Sequence, residues 1–89
     1  MMEIKVTVVA PVYNTGRYLE KCVCSLTEQT YRNIEILLVD DGSTDRSADI
    51  CDSLAKNDER IRVIHKENGG AASARNLGIE HAKGSYIYF

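Results

Sequence analysis

Two adjacent carboxylates, Asp40 and Asp41, end an apolar run from Ile36 to Val39, and Gly42-Ser43-Thr44 follows at once. A buried strand that stops on acids delivers them to one edge of a sheet. There a carboxylate can act as a base, as a metal ligand, or as the acceptor for a ligand N–H. Neighbouring residues of a strand point to opposite sides, so one pocket takes at most one of the two acids. The other is expected to turn back onto loop amides. A pair of turn-and-cap carboxylates is the plainer alternative, and the residues alone leave both readings open.

Other groups offer complementary chemistry. Tyr13 stands two residues after Pro11, the one proline in the chain. An aromatic beside an acid makes a wall for a nucleobase, with stacking on the ring and hydrogen bonds to the carboxylate. Packing of Tyr13 on the next helix is the alternative. Asn68-Gly69-Gly70 precedes Ala71-Ala72-Ser73-Ala74-Arg75. Such a turn allows close backbone approach at a helix start, a weak phosphate-cradle signal that is neither G-x-G-x-x-G nor a P-loop. Arg75, one turn into that helix, carries a fork of donors suited to a phosphate, or to a surface ion pair. His65 at a strand end reads as structural, and His81 as a solvated partner of a helix C-terminus.

The elements that must position these residues follow from patterning. Ile4 to Ala10 is β-branched and strand-like, and Pro11 is expected to stop it. Asn14 or Thr15 can cap a helix from about Gly16 to Gln29, with Tyr18, Leu19, Cys22, Val23 and Leu26 as its apolar stripe. Ile34 to Val39 is a second strand, buried on both faces. Ser43 or Thr44 can cap a helix from about Asp45 to Lys56, striped by Ala48, Cys51, Leu54 and Ala55. Ile61 to His65 alternates and suits a position near a sheet edge. A third helix spans about Ala71 to Ala82, with Leu77 and Ile79 apolar and Gly84 as its stop. Tyr86 to Phe89 reads as a fourth strand. Strands alternating with helix-length crossovers imply an α/β fold, a three-layer Rossmann-like parallel sheet with helices on both faces. The loops Pro11 to Gly16, Asp40 to Thr44 and Lys66 to Ala72 then converge on one edge.

Bulk properties narrow the class. With 89 residues the chain suits one small domain, and 44% hydrophobic residues suffice for a core. A net charge of −2 with scattered Lys and Arg argues against a nucleic-acid binder. The apolar runs are strand-sized, so no transmembrane segment is expected, and the N-terminus has no signal-peptide core. Cys22, Cys24 and Cys51 form no regular framework, so no disulfide set is expected and cytoplasmic exposure is the simplest reading. Cys22 and Cys51 are expected to be buried thiols.

Taken together, these motifs resemble the N-terminal half of a family 2 inverting glycosyltransferase of the GT-A fold. The matching stretches are Val9-Ala10-Pro11-Val12-Tyr13-Asn14, Tyr18-Leu19 through Ser25 to Tyr31, and Glu35 to Asp45 with Val-Asp-Asp-Gly-Ser-Thr-Asp. Asn68-Gly69-Gly70 through Ala74-Arg75-Asn76-Leu77-Gly78 and Ala82 to Ile87 complete the set. They cover nearly the whole chain in the family's order. The resemblance implies a donor site for a nucleotide-diphosphate sugar, expected to be a UDP-sugar, and a place in cell-surface polysaccharide biosynthesis. Pro11, Val12 and Tyr13 would line the base and ribose pocket. Asp41 would bond the base, Asp40 would support the loop, Asn68 and Gly70 would belong to the nucleotide site, and Arg75 would lie near the diphosphate. In the family an acidic D-x-D motif then holds Mg²⁺ or Mn²⁺ as a Lewis acid on the leaving group, and an Asp or Glu base comes later still. Those acids would lie beyond Phe89. Residues 1–89 are therefore expected to supply the nucleotide-binding half, with no catalytic or metal residue of their own, inactive alone and at best weakly nucleotide-binding.

Two other classes compete. A receiver domain shares the strand-to-acid-pair pattern, but there the pair follows the first strand, and the third strand ends in a phospho-accepting Asp where this chain has His65-Lys66. A non-catalytic interaction module is the other, with self-association through an exposed sheet edge. Membrane association of the complete enzyme is left open by the residues.

Overall fold

A computed structural model describes residues 6–28, 33–82 and 86–88. Four strands, β1 (Val6–Val12), β2 (Ile34–Asp41), β3 (Ile61–Lys66) and β4 (Tyr86–Tyr88), alternate with three helices, α1 (Gly16–Thr27), α2 (Ser47–Asn57) and α3 (Ala71–His81). All pairings are parallel, and the sheet order is β3-β2-β1-β4. The chain steps outward from β1 to β3, then returns to the far side of β1. That reversal puts α3 on the opposite face from α1 and α2. It also creates a switch point beside the carboxyl end of β1, where α/β sheets bind ligands.

Each face has its own core. Val12, Ile36 and Leu38 meet Leu19, Val23 and Cys51 of α1 and α2 on one side. Val9, Leu37 and Val39 meet Ala74 of α3 on the other. β2 is buried at every position, which explains its unbroken apolar run. The α3 face is close-packed: a Cβ added at Gly78 would lie 2.4 Å from Val9 Cγ1. Two carboxylates of β2 reach α3 from this face. Glu35 takes Thr7 Oγ1 and Arg62, whose guanidinium also donates to the His81 carbonyl at the helix C-terminus. Asp41 reaches the helix N-terminus.

Several expectations change. β1 does not stop at Pro11; it runs on to Val12, with Pro11 opposite Val39. The described register with β4 pairs Val6, Thr7 and Val8, and Pro11 stands one residue before the end of β1. Cys22 is exposed rather than buried, and Tyr18 is 68% exposed. The stripe that packs is the narrower Leu19, Val23 and Leu26, because α1 meets the sheet along one line of its surface. Burial pushes the thiol of Cys51 up to about 12, so it is an inert core group. No cap bond forms from Thr15, and α2 begins at Ser47, past Ser43, Thr44 and Asp45. Ile79 is 45% exposed, since α3 buries Ala74 and Gly78 instead. The expected stop at Gly84 and the end at Phe89 lie outside the described residues. β3 is an edge of the sheet, as its mixed pattern implies.

Candidate functional site

Asp40 and Asp41 close β2, and strand alternation sends them to opposite faces. Asp40 points toward α1 and α2. Its Oδ1 accepts the Ser43 N–H at 3.0 Å, and its Oδ2 lies 2.9 Å from His65 Nδ1. The other ring nitrogen of His65 lies 2.9 Å from Asp52 Oδ1 on α2. With a carboxylate at each nitrogen, the geometry suits the doubly protonated ring. The bonds to Asp40 and then Asp52 accordingly raise the pKa of His65. Burial pushes Asp40 upward, but Ser43 and His65 outweigh it and leave the acid below its ordinary range. Asp40 thus supports the loop, and His65 pins that support to α2.

Asp41 points to the α3 face. Its Oδ1 accepts Lys66 Nζ at 2.6 Å and the Gly69 N–H at 2.9 Å. Its Oδ2 accepts the Gly70 N–H at 2.9 Å and the Asn68 amide at 3.3 Å. The Lys66 bond is the largest influence on its pKa, and with the glycine amides it holds the acid below the usual carboxylate range. The Gly69 and Gly70 amides are turned onto Asp41 and so are not free for a phosphate. Gly42, at φ +72°, permits the adjoining turn, and a Cβ there would sit 2.6 Å from the Asn68 nitrogen.

The β1 loop is stitched to the β2 loop by Asn14, which adopts φ 51°, a left-handed conformation Asn tolerates. Its Oδ1 accepts the N–H groups of Thr44 at 2.8 Å and Asp45 at 3.2 Å, and its own N–H donates to Ser43 Oγ. Ser47, fully buried, accepts the Thr15 N–H at 2.9 Å. Asp45 accepts the Ser47 and Gly16 N–H groups, which lower its pKa, Ser47 most. Sequence reading assigned Asn14, Ser43 and Thr44 to capping; they are cross-links between two loops.

The remaining expected residues divide. Tyr13, one residue past the Val12–Asp40 pair, is 49% exposed, so its ring is available as a wall. Pro11 is exposed at the same edge. The Val12 side chain is core, and only its backbone reaches the rim. Arg75 is exposed, and its Nε lies 3.5 Å from the Ala71 carbonyl of its own helix. Asn68 and Gly70 are drawn to Asp41. Lys66 was not singled out by its sequence context; its position directly after His65, opposite Asp41 in register, is the signal that could have found it.

Among the described residues, no cluster of three His, Cys, Asp or Glu side chains could hold a metal ion. Asp40 and Asp41 do not fit one either, since their oxygens are occupied by protein donors. No described helix is long and apolar enough to cross a membrane.

Comparisons place this geometry. The family described as Glycosyl transferase family 2 matches residues 7–89. Glycosyltransferase GlyG of Streptococcus pneumoniae is 60% identical over 83 residues, covering 92% of this chain and 28% of that protein. Uncharacterized glycosyltransferase EpsJ of Bacillus subtilis is 52% identical over 84 residues, 94% of this chain and 24% of that protein. In structure, a mannosyltransferase of Pyrobaculum calidifontis, solved with GDP-Man and Mn²⁺, is similar at TM-score 0.88 and 27% identity, over 97% of this chain and 26% of its own. S. aureus TarS 1-349 with UDP-GlcNAc gives 0.84 and 30%, over 94% of this chain and 25% of its own. The fold is that of the N-terminal half of a GT-A glycosyltransferase. The chain spans about a quarter of the length of these relatives.

Proposed function

The chain belongs to glycosyl transferase family 2, and from that premise we propose that it supplies the nucleotide half of a donor site. The whole protein would move a sugar from a nucleoside-diphosphate sugar to an acceptor hydroxyl. The observation that carries this reading is Asp41: an ionised carboxylate, 3% exposed, held at the carboxyl end of β2, one strand from the switch point of the sheet.

Each residue has a role that its position supports. Asp41 accepts an N–H from the base edge. Tyr13 offers its exposed ring for stacking, and the backbone at Pro11 and Val12 forms the rim. Asp40 keeps the Asp41 turn in place through Ser43 and His65. Asn68 and Gly70 shape the far wall. Arg75, one turn into α3, reaches for the diphosphate with its planar fork. A divalent metal would add Lewis-acid help at the leaving group in the whole protein. The acids for it, and the base, come from residues other than those described.

UDP is the first donor nucleotide to test, because an ionised carboxylate is acceptor-only and uracil presents a ring N–H. The mannosyltransferase relative was solved with a guanine nucleotide, whose base also presents ring N–H. Titration calorimetry on the full-length protein, with UDP in the presence and absence of Mn²⁺, tests the reading. Binding that tightens with Mn²⁺ supports it. Heat no greater than dilution under both conditions overturns it.

A further inference from the structure

The Asp41 carboxylate is asymmetrically loaded. A carboxylate oxygen has about two acceptor positions. On Oδ1 both are taken at short range, by Lys66 Nζ at 2.6 Å and Gly69 N at 2.9 Å. On Oδ2 only Gly70 N is short, at 2.9 Å; the Asn68 amide is the longest contact, at 3.3 Å. The same Asn68 Nδ2 also donates to the Asp41 carbonyl at 3.0 Å. Asn68 therefore has a bond to keep when its contact with Oδ2 is given up. Lys66 is held more tightly, with its contact to Oδ1 at 2.6 Å against 3.3 Å for Asn68 to Oδ2. Its ammonium also donates to the Glu67 carbonyl at 2.6 Å, and its side chain is only 16% exposed. Above it, a Cβ on Gly69 would come within 3.0 Å of Nζ.

We propose that Lys66 is a positioning residue: it fills Oδ1 of Asp41, so that Oδ2 becomes the oxygen that takes the nucleobase N–H while the Asn68 amide gives way. The inference rests on Asp41 reading the base. It adds which oxygen reads, what fixes it, and which class of base it selects. A charged oxygen with one opening takes a ring N–H donor, as in uracil or guanine. It rejects cytosine, whose corresponding ring nitrogen is itself an acceptor.

Among the described residues, Lys66 is the one charged group bonded to Asp41; Asn68, Gly69 and Gly70 are neutral, and the adjacent Asp40 faces away toward His65. Removing the ammonium should therefore make Asp41 easier to protonate. A purely structural lysine would not shift the acid limb of nucleotide binding.

The test uses the full-length protein, with UDP and CDP as probes, by calorimetry from acid to neutral pH. The wild type is expected to bind UDP at least about tenfold tighter than CDP. Lys66→Met is expected to weaken UDP binding about tenfold and to move the acid limb to higher pH. Lys66→Arg restores both, because the guanidinium keeps charge and donor. Lys66→Gln keeps a neutral donor; it recovers part of the affinity and none of the acid limb, and it serves if the Met variant does not fold. A folded Lys66→Met or Lys66→Gln protein with wild-type affinity and acid limb overturns the role of Lys66 and leaves the donor site standing. A wild type that binds neither nucleotide overturns the donor reading and this inference with it.

Discussion

On one face of β2, Asp40 is bonded to a histidine that in turn reaches α2; on the other, Asp41 is bonded to two glycine amides and a lysine. The residues are the same and consecutive, and both are nearly buried. Their surroundings separate them. The Asp40 side belongs to the larger core, where two helices pack and the acid braces a loop. The Asp41 side belongs to a thinner core, where one helix lies close on small residues and the acid faces the chain's glycine turn. Asp40 is held by the Ser43 amide and by His65, which ties it to α2. Asp41 is held by Lys66 and two glycine amides, and its fourth contact, the Asn68 side-chain amide at 3.3 Å, is the longest.

Substitution separates the two faces most sharply. Asp41→Asn replaces an acceptor-only group by one that is half donor, facing two N–H groups and an ammonium. UDP affinity is expected to fall about a hundredfold in titration of the full-length protein. Asp40→Asn is expected to lower stability by about 1–3 kcal/mol, from broken bonds to Ser43 and His65, with affinity changed much less. Equal losses of affinity in the two variants would erase the distinction drawn here. Next in size is the thin face itself. Gly78→Ala places a methyl 2.4 Å from Val9 Cγ1 and should cost about 1–3 kcal/mol in denaturant unfolding. An unchanged midpoint would mean that α3 has room to lift.

The smallest expected effect is that of pH on the Asp40 face. His65 has a raised pKa in the folded state. Its contribution is therefore present in full below the ordinary imidazole value and lost as pH rises through the folded one. Asp40 has a lowered pKa, so its contribution is present above the ordinary carboxylate value and lost as pH falls through the lowered one. The brace is strongest between those two ordinary values. Melting temperatures of wild type and His65→Gln across pH should differ most in that window and converge above it. A constant difference would show that His65 packs rather than pairs.

Much of this was legible in the residues. An apolar run that ends on two acids and a glycine announced β2 and its edge, and the alternation of strands and helix-length segments announced the layers. Illegible features depend on groups far apart in sequence. Pro11 continues β1 because it pairs in register with Val39 of β2, a partner far away in sequence. Asn14 looks like a cap until the Thr44 amide comes to it, and Ser47 is buried because Thr15 needs an acceptor. Cys22 and Tyr18 fit a helical stripe, but the width of the contact is set by the sheet. The strand register that places Lys66 beside Asp41 is fixed by pairing, which local patterning does not specify.

Glu35 and Asp41 lie six positions apart on one face of β2, about 20 Å along the strand. Through Arg62 and the glycine turn they hold the two ends of α3, a helix of 11 residues and about 16 Å. The strand therefore acts as a gauge for the helix. An insertion or deletion of one residue within α3 also rotates its small face away from Val9, so length variation is expected to be excluded from this helix.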